Sequence, residues 1–290
     1  MFKRVRRWTV VLLLSVVLSG CGMRFVYNNL DWLAYWLIDD YVELTEQQQQ
    51  QFEPMLQDWL AWHRSSQLPI YLAQLQLFRA QLVAGITPEQ LKEQVAAWRE
   101  NVRVVANYVY RDLAELAQSA TPQQVNQFIS QLAQQQQTEH RQQSHLEYRQ
   151  EHLSESVERW LGSVNAQQQT LIERMAEQLV DTRPDWSAVQ SKWQQYLAFS
   201  MSQPRQQAYL EQRFYVLLVE SEQLWPQPLA ARFNANHQIW AQGMSEILAL
   251  TNAKQKRYLL AKLDAYIEDL QLLIGEDGLT KPAVLAGLAN

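Results

Sequence analysis

Apolar residues recur every three or four positions along most of this chain. Leu91, Val95, Trp98, Val102, Val105, Val109, Leu113 and Leu116 form one such run, a stripe about eight turns long on a single helix face. Leu259, Leu263, Tyr266, Leu270 and Ile274 repeat the pattern near the C-terminus. Gly and Pro are few, 8 and 9 in 290 residues, and fall mostly at segment ends. Alternation of period two is scarce, so strands are not expected. The chain reads as all-α: a multi-helix bundle or an irregular helical-hairpin solenoid of about ten helices.

The starts of these helices share a wording. Thr45 is followed by Gln48, Thr87 by Gln90, Thr121 by Gln124 and Asn165 by Gln168, while Thr251 has Lys254 in the same place. A Thr or Asn at the N-cap accepts from the third helical amide, and a Gln there reaches back to the cap amide. Pro88 and Pro122 take first helical positions, where a missing N–H costs nothing. Caps at 45, 87, 121, 165 and 251 lie 42, 34, 44 and 86 residues apart. A weaker start at Ser202, before Pro204, would halve the last interval. Spacing near forty suggests a degenerate helical-hairpin repeat. The "LTEQQ" wording at 44–48 resembles the LTxxQ motif of Spy-type periplasmic chaperones, which are small curved helical proteins. Pro54 is expected to kink or break the first of these helices.

From Val125, Phe128 and Leu132 the stripe passes through Gln136, Glu139 and Gln143, and resumes in phase at Leu146, Leu153, Val157 and Trp160. This predicts one helix over 122–161, roughly 60 Å long at about 1.5 Å per residue, with a solvated middle joining two subbundles. His140, His145 and His152 lie in or near that middle. Their spacing suits a metal poorly, since helical ligand pairs sit three or four residues apart.

The N-terminus is an address. Lys3, Arg4, Arg6 and Arg7 precede "WTVVLLLSVVLS", which is shorter than the ~20 apolar residues a membrane span needs. Leu18-Ser19-Gly20-Cys21 resembles a bacterial lipobox, which implies cleavage after residue 20 and N-acyl (palmitate-type) and diacylglycerol lipid on Cys21. Gly22, rather than Asp, implies sorting to the outer membrane of a Gram-negative bacterium, with the body in the periplasm. The expected layout is a signal peptide over 1–20, a lipidated tether over 21–27, a helical body over 28–274 and a tail over 275–290. Cys21 is the only cysteine, so disulfides, thiolate metal sites and Cys nucleophiles are excluded once it carries lipid.

Cleavage shifts the charge. Of 25 basic and 30 acidic residues, four basic ones leave with the leader, giving 21 against 30 and a net of −9. Nucleic acid is therefore not an expected partner. P-loop, dinucleotide, nucleophile-elbow and zinc-helix motifs do not occur. No cofactor, metal or catalytic residue is assigned.

The densest group of chemistry-bearing side chains is "DWLAWHRSSQLPIY". Asp58, Trp62, His63, Arg64 and Tyr71 form a candidate ligand or partner cluster, in which His63 and Arg64 would bind an anion. The plainer reading is a helix ending at Ser65, favourable to cations at its C-terminus, and a second starting at Pro69. Arg99, Arg103 and Arg111 flank the long stripe and are expected to snorkel or to pair with Glu100 and Glu115. "FVYNNLDWLAYWLIDDYVEL" (25–44) is the most aromatic segment, expected to dock on the core or to lie at a membrane interface.

"RFVYNNLDWL", "WHR" and "LPIY" together resemble an uncharacterised family of bacterial lipoproteins, domain of unknown function 6279. The likeness implies a helical periplasmic body and supplies no activity. The expected function is a non-enzymatic binding, scaffold or chaperone-like protein, held at the membrane by lipid and engaging another envelope protein. The alternative is an envelope enzyme or ligand receptor acting on peptidoglycan or lipid.

Overall fold

The computed structural model describes residues 22–137 and 145–275. Its helices are α1 (Gly22–Asn28), α2 (Leu30–Asp39), α3 (Glu46–Trp62), α4 (Leu68–Ala84), α5 (Pro88–Gln118), α6 (Pro122–Gln137), α7 (His145–Leu161), α8 (Ala166–Gln178), α9 (Arg183–Ser202), α10 (Gln207–Leu218), α11 (Gln227–Ala249) and α12 (Ala253–Ile274). A π turn, His63–Gln67, joins α3 to α4, and a 3₁₀ turn, Ser221–Leu224, precedes α11. The described residues contain no strand, so the fold is all-α as expected.

The caps explain the helix starts. Thr45, Thr87 and Asn165 make reciprocal capping boxes with Gln48, Gln90 and Gln168. Thr121 and Gln124 do the same. At α12 the cap is Asn252 with Gln255, not Thr251 with Lys254. Thr251 instead returns its hydroxyl to the Leu248 carbonyl and closes α11. The shift by one residue restores the Asn–x–x–Gln spacing that Lys254, a donor only, cannot serve. The start expected at Ser202 is absent: α9 runs to Ser202 and α10 begins at Gln207 behind Gln206, with no side-chain cap.

Four of these glutamines do more than cap. Gln48 and Gln124 are buried and donate to each other's carboxamide oxygens at 3.2 and 2.8 Å. Their second N–H groups reach the Ser119 hydroxyl and the Glu43 carbonyl. Gln168 and Gln255 repeat the device at 3.4 and 2.8 Å, with second bonds to the Ile247 and Ser163 carbonyls. Each pair brings two helix N-termini together, α3 with α6 and α8 with α12. An isolated capping box accepts Glu or Gln equally. Here the side chain must donate as well as accept, and only Gln does both.

The long helix α5 confirms the stripe in extent, and Leu91, Val95, Val105, Val109, Leu113 and Leu116 are buried or partly so, but two of its positions are not. Trp98 and Val102 are 42% and 70% exposed, while Gln94 and Asn101 are buried. Asn101 exchanges two hydrogen bonds with Gln74 on α4, and Gln94 donates to Gln81 on the same helix, which offsets much of the penalty of burying them. α5 packs lengthwise on α10 and α11 and touches α3 and α4; α12 packs on α4 and α7; α11 packs on α8. Because α4 meets α12, the first third of the chain closes on the last. A solenoid unit touches only its sequence neighbours, so this is a bundle.

Two proline expectations are corrected. α3 continues through Pro54: Pro54 and Gln50, whose carbonyl loses its partner, are both exposed, so water replaces the bond. Nor does the helix end at Ser65. It widens into the π turn, with the Leu68 amide bonding the His63 carbonyl five residues back, and continues as α4. Pro69 lacks an N–H and crowds the preceding turn, and the extra residue makes room for it.

The single helix expected over 122–161 has helical ends, α6 and α7. Its middle, with His140, lies outside the described residues. The segment expected as a tether forms α1, which packs on α12 through Met23 and Tyr27. Arg24 Nε lies 3.0 Å from the buried Asp269 carboxylate on α12.

Candidate functional site

The sequence-selected cluster is a seam. Asp58 accepts the Tyr108 hydroxyl at 2.7 Å, which pushes the Tyr108 pKa up to about 12. Trp62 stacks on the Tyr108 ring with centroids 3.7 Å apart. His63 Nδ1 accepts the Tyr27 hydroxyl at 2.9 Å and its ring meets Tyr71 edge-on. Burial holds the His63 imidazole below its ordinary pKa, which suits an acceptor with no carboxylate behind it. Arg64 donates to the Asn28 side chain at 2.9 Å and lies over the Tyr27 ring. These contacts tie α5 to the end of α3 and α1 to the π turn. The neighbouring Ser65 hydroxyl is bound back to the Ala61 carbonyl at 2.9 Å.

The flanking charges are also engaged. Arg103 pairs with Glu100 as expected. Arg99 pairs with Glu222 and lies over Phe233, and Arg111 faces Glu211 and its neighbour Tyr110. Glu115 accepts from Gln51. His152 lies 3.8 Å from Glu155 and beside the Tyr148 ring. Among the described residues no group of three acidic, His or Cys side chains converges to hold a metal.

A concave site lies elsewhere. Between the ends of α2, α3, α5, α6, α9 and α10 is a cavity of about 400 Å³, within the size range of small-molecule sites. Leu37, Ile38, Tyr41, Val42 and Leu44 form one wall, with Phe52 behind them. Leu113, Leu116 and Ala117 come from the end of α5, Ala120 from the turn after it, and Val125 and Phe128 from the start of α6. Trp193, Leu197 and Met201 of α9 and Phe214, Leu217 and Leu218 of α10 close it. Gln48 and Gln124 also line it.

The local reason for the cavity is the first paired cap. Gln48–Gln124 joins the starts of α3 and α6 at the cavity, where the small side chains of Ala117 on α5 and Ala120 just after it fill little of the space. The polar side chains of the wall are already committed. Both N–H groups of each glutamine are used, and Trp193 donates to the Leu217 carbonyl at 3.0 Å. Aside from Tyr41, which packs on Phe128, the lining carries no titratable group.

α2 covers one side lightly. It is the apolar decapeptide "LDWLAYWLID", yet none of its residues is buried and Trp32 is 61% exposed. It touches only α1 and α3 to any extent. No helix of the described residues is long and apolar enough to cross a membrane.

Sequence reading missed the cavity. Periodicity shows which residues turn inward, not where inward-facing side chains fail to meet. The one available signal was two small residues, Ala117 and Ala120, one turn apart beside a capping box.

No curated protein and no solved structure matches the chain. The family of unknown function DUF6279 matches residues 40–229, which include every cavity-lining residue except Leu37 and Ile38. With about two thirds of its length matched, the chain belongs to the family of unknown function DUF6279.

Proposed function

We propose that the protein is a non-enzymatic binding protein of the Gram-negative envelope, tethered to the outer membrane by lipid on Cys21, with an apolar guest held in the cavity. The observation that carries the reading is that cavity: it is walled mostly by apolar side chains, and the N–H groups of its glutamines and tryptophan are hydrogen-bonded within the fold. Such a site binds by burial and offers no acid, base or nucleophile. The lipobox-like Leu18–Cys21 sequence and the helix of unburied aromatics just after it support the tether.

The enzyme alternative placed Asp58, His63 and Arg64 in an active site. The geometry lends it no support, because their contacts hold helices together.

Two measurements test the reading. Cys21→Ala should move the protein out of the membrane fraction. A polarity-sensitive dye should bind with a saturable emission increase, which Ala117→Trp weakens at least tenfold. Loss of the dye signal in the folded wild type, or a membrane fraction unchanged by Cys21→Ala, would count against it.

A further inference from the structure

We infer that the guest of this cavity is a hydrocarbon chain: one lipid tail, entered end first, with its head group left outside. The inference rests on the binding role proposed above and names its ligand class. Four classes of apolar-bodied guest compete for such a space: a polypeptide segment, an aromatic metabolite with polar edges, an anionic amphiphile bound by its head, and a plain chain.

The wall chemistry separates them. A peptide brings an amide donor and acceptor at every residue, and each needs a partner once out of water. The cavity has few donors, and its amide and indole N–H groups are committed. Gln48 and Gln124 spend both N–H groups on each other, on Ser119 and on Glu43. Trp193 is bound to Leu217, and the Tyr41 ring packs on Phe128, so the lining cannot serve the many amides of a peptide. A ligand with polar edges meets the same closed surface. An anionic head would need a cation, and the lining contains no Lys, Arg or His. Asp39, Asp40 and Glu43, on the wall segment, add negative charge instead. A hydrocarbon chain makes none of these demands and gains from burial alone.

Access agrees with this. The wall formed by Leu37 and Ile38 belongs to α2, whose apolar residues are all at least partly exposed. Only fifteen residues, Gly22 to Trp36, separate that wall from Cys21. The tail can come from a lipid of the surrounding bilayer or from the acyl groups on Cys21, and both present the same chemistry.

The test uses a conjugated-polyene long-chain alcohol, fluorescent out of water, titrated into purified full-length wild type and Cys21→Ala. Saturable one-to-one binding is expected, displaced by a saturated long-chain alcohol and not by a leucine-rich peptide. Ala117→Trp should weaken it at least tenfold with an unchanged thermal midpoint, and Ala120→Leu serves if that variant misfolds. Binding by both proteins, with extractable lipid on the wild type, assigns the bilayer as source. Binding by Cys21→Ala alone assigns the tether's own acyl chain. The inference is overturned if neither binds the alcohol, if both cavity variants bind as wild type does, or if the peptide displaces the probe. A dye that binds while the alcohol does not compete would overturn the lipid class and leave the binding role standing.

Discussion

Gln168 and Gln255, 87 residues apart, face each other amide to amide, each donating to the other's oxygen and accepting the backbone N–H of its own cap residue. Both are essentially inaccessible to water. Gln168→Glu or Gln255→Glu replaces a donor by a lone pair and sets a carboxylate against a carbonyl oxygen. Either should cost about 2–4 kcal/mol, read as a lower urea midpoint. The double Gln→Ala variant should lose less than the two singles together, with a coupling of about 1–2 kcal/mol; strict additivity would mean the pair is incidental.

A second prediction concerns α8 and α11. A Cβ on Gly243 would stand 2.7 Å from Met175 Sδ, and Met175 is buried. Gly243→Ala is expected to cost about 1–3 kcal/mol through overpacking, despite its better helix propensity. Met175→Ala opens the space that the new methyl needs, so the combined variant should be more stable than Met175→Ala alone. Thermal unfolding of the three variants checks this.

Titration should reveal two opposed windows. His63 and His237 have pKa values below the ordinary 6.5, chiefly through burial. Below about pH 6.5 the unfolded chain takes up these protons before the folded one, so stability falls as the medium is acidified towards the folded values. Asp269 is shifted upward, with burial outweighing Arg24. It protonates first in the folded state, so its contribution rises as pH falls through its folded pKa towards 3.8. His63→Gln should flatten the first window and Asp269→Asn the second, as urea midpoints measured across pH 3 to 8 would show.

Tyr108 gives a spectroscopic check on the seam. Its pKa of about 12 comes first from the hydrogen bond to Asp58. Asp58→Asn removes a charged acceptor, and the Tyr108 tyrosinate band should then appear nearer pH 10 in an ultraviolet titration. An unchanged titration would separate the two residues in solution.

Helix starts were legible because a cap is local: Thr45 and Gln48, or Asn165 and Gln168, lie three residues apart and carry their own geometry. The second bond of each glutamine was not, since it depends on a residue 76 or 87 positions away. Two positions on α5 were misjudged for the same reason. Apolar periodicity favours Trp98 and Val102, and it has no means of crediting Gln94 and Asn101, whose partners Gln81 and Gln74 sit on another helix. Pro69 marked a real irregularity, but its chain continues because a π turn absorbs the missing N–H. The cluster from Asp58 to Tyr71 was legible as dense in chemistry, but its contacts with α1 and α5 were not, since ring stacks and hydrogen bonds look alike in sequence whether they face a ligand or a neighbouring helix.

The paired caps also bear on how the chain is closed. Gln48 with Gln124 and Gln168 with Gln255 cinch two loops of 76 and 87 residues, a task that a disulfide can also perform. Loop-closure entropy rises only slowly with length, so a buried plate of four amide bonds serves at this distance much as it would at half of it. Unlike a disulfide, it withdraws nothing from the entropy of the unfolded chain and depends on no oxidant. The two clasps therefore make and break with the fold itself, at the same rate in oxidising and reducing surroundings.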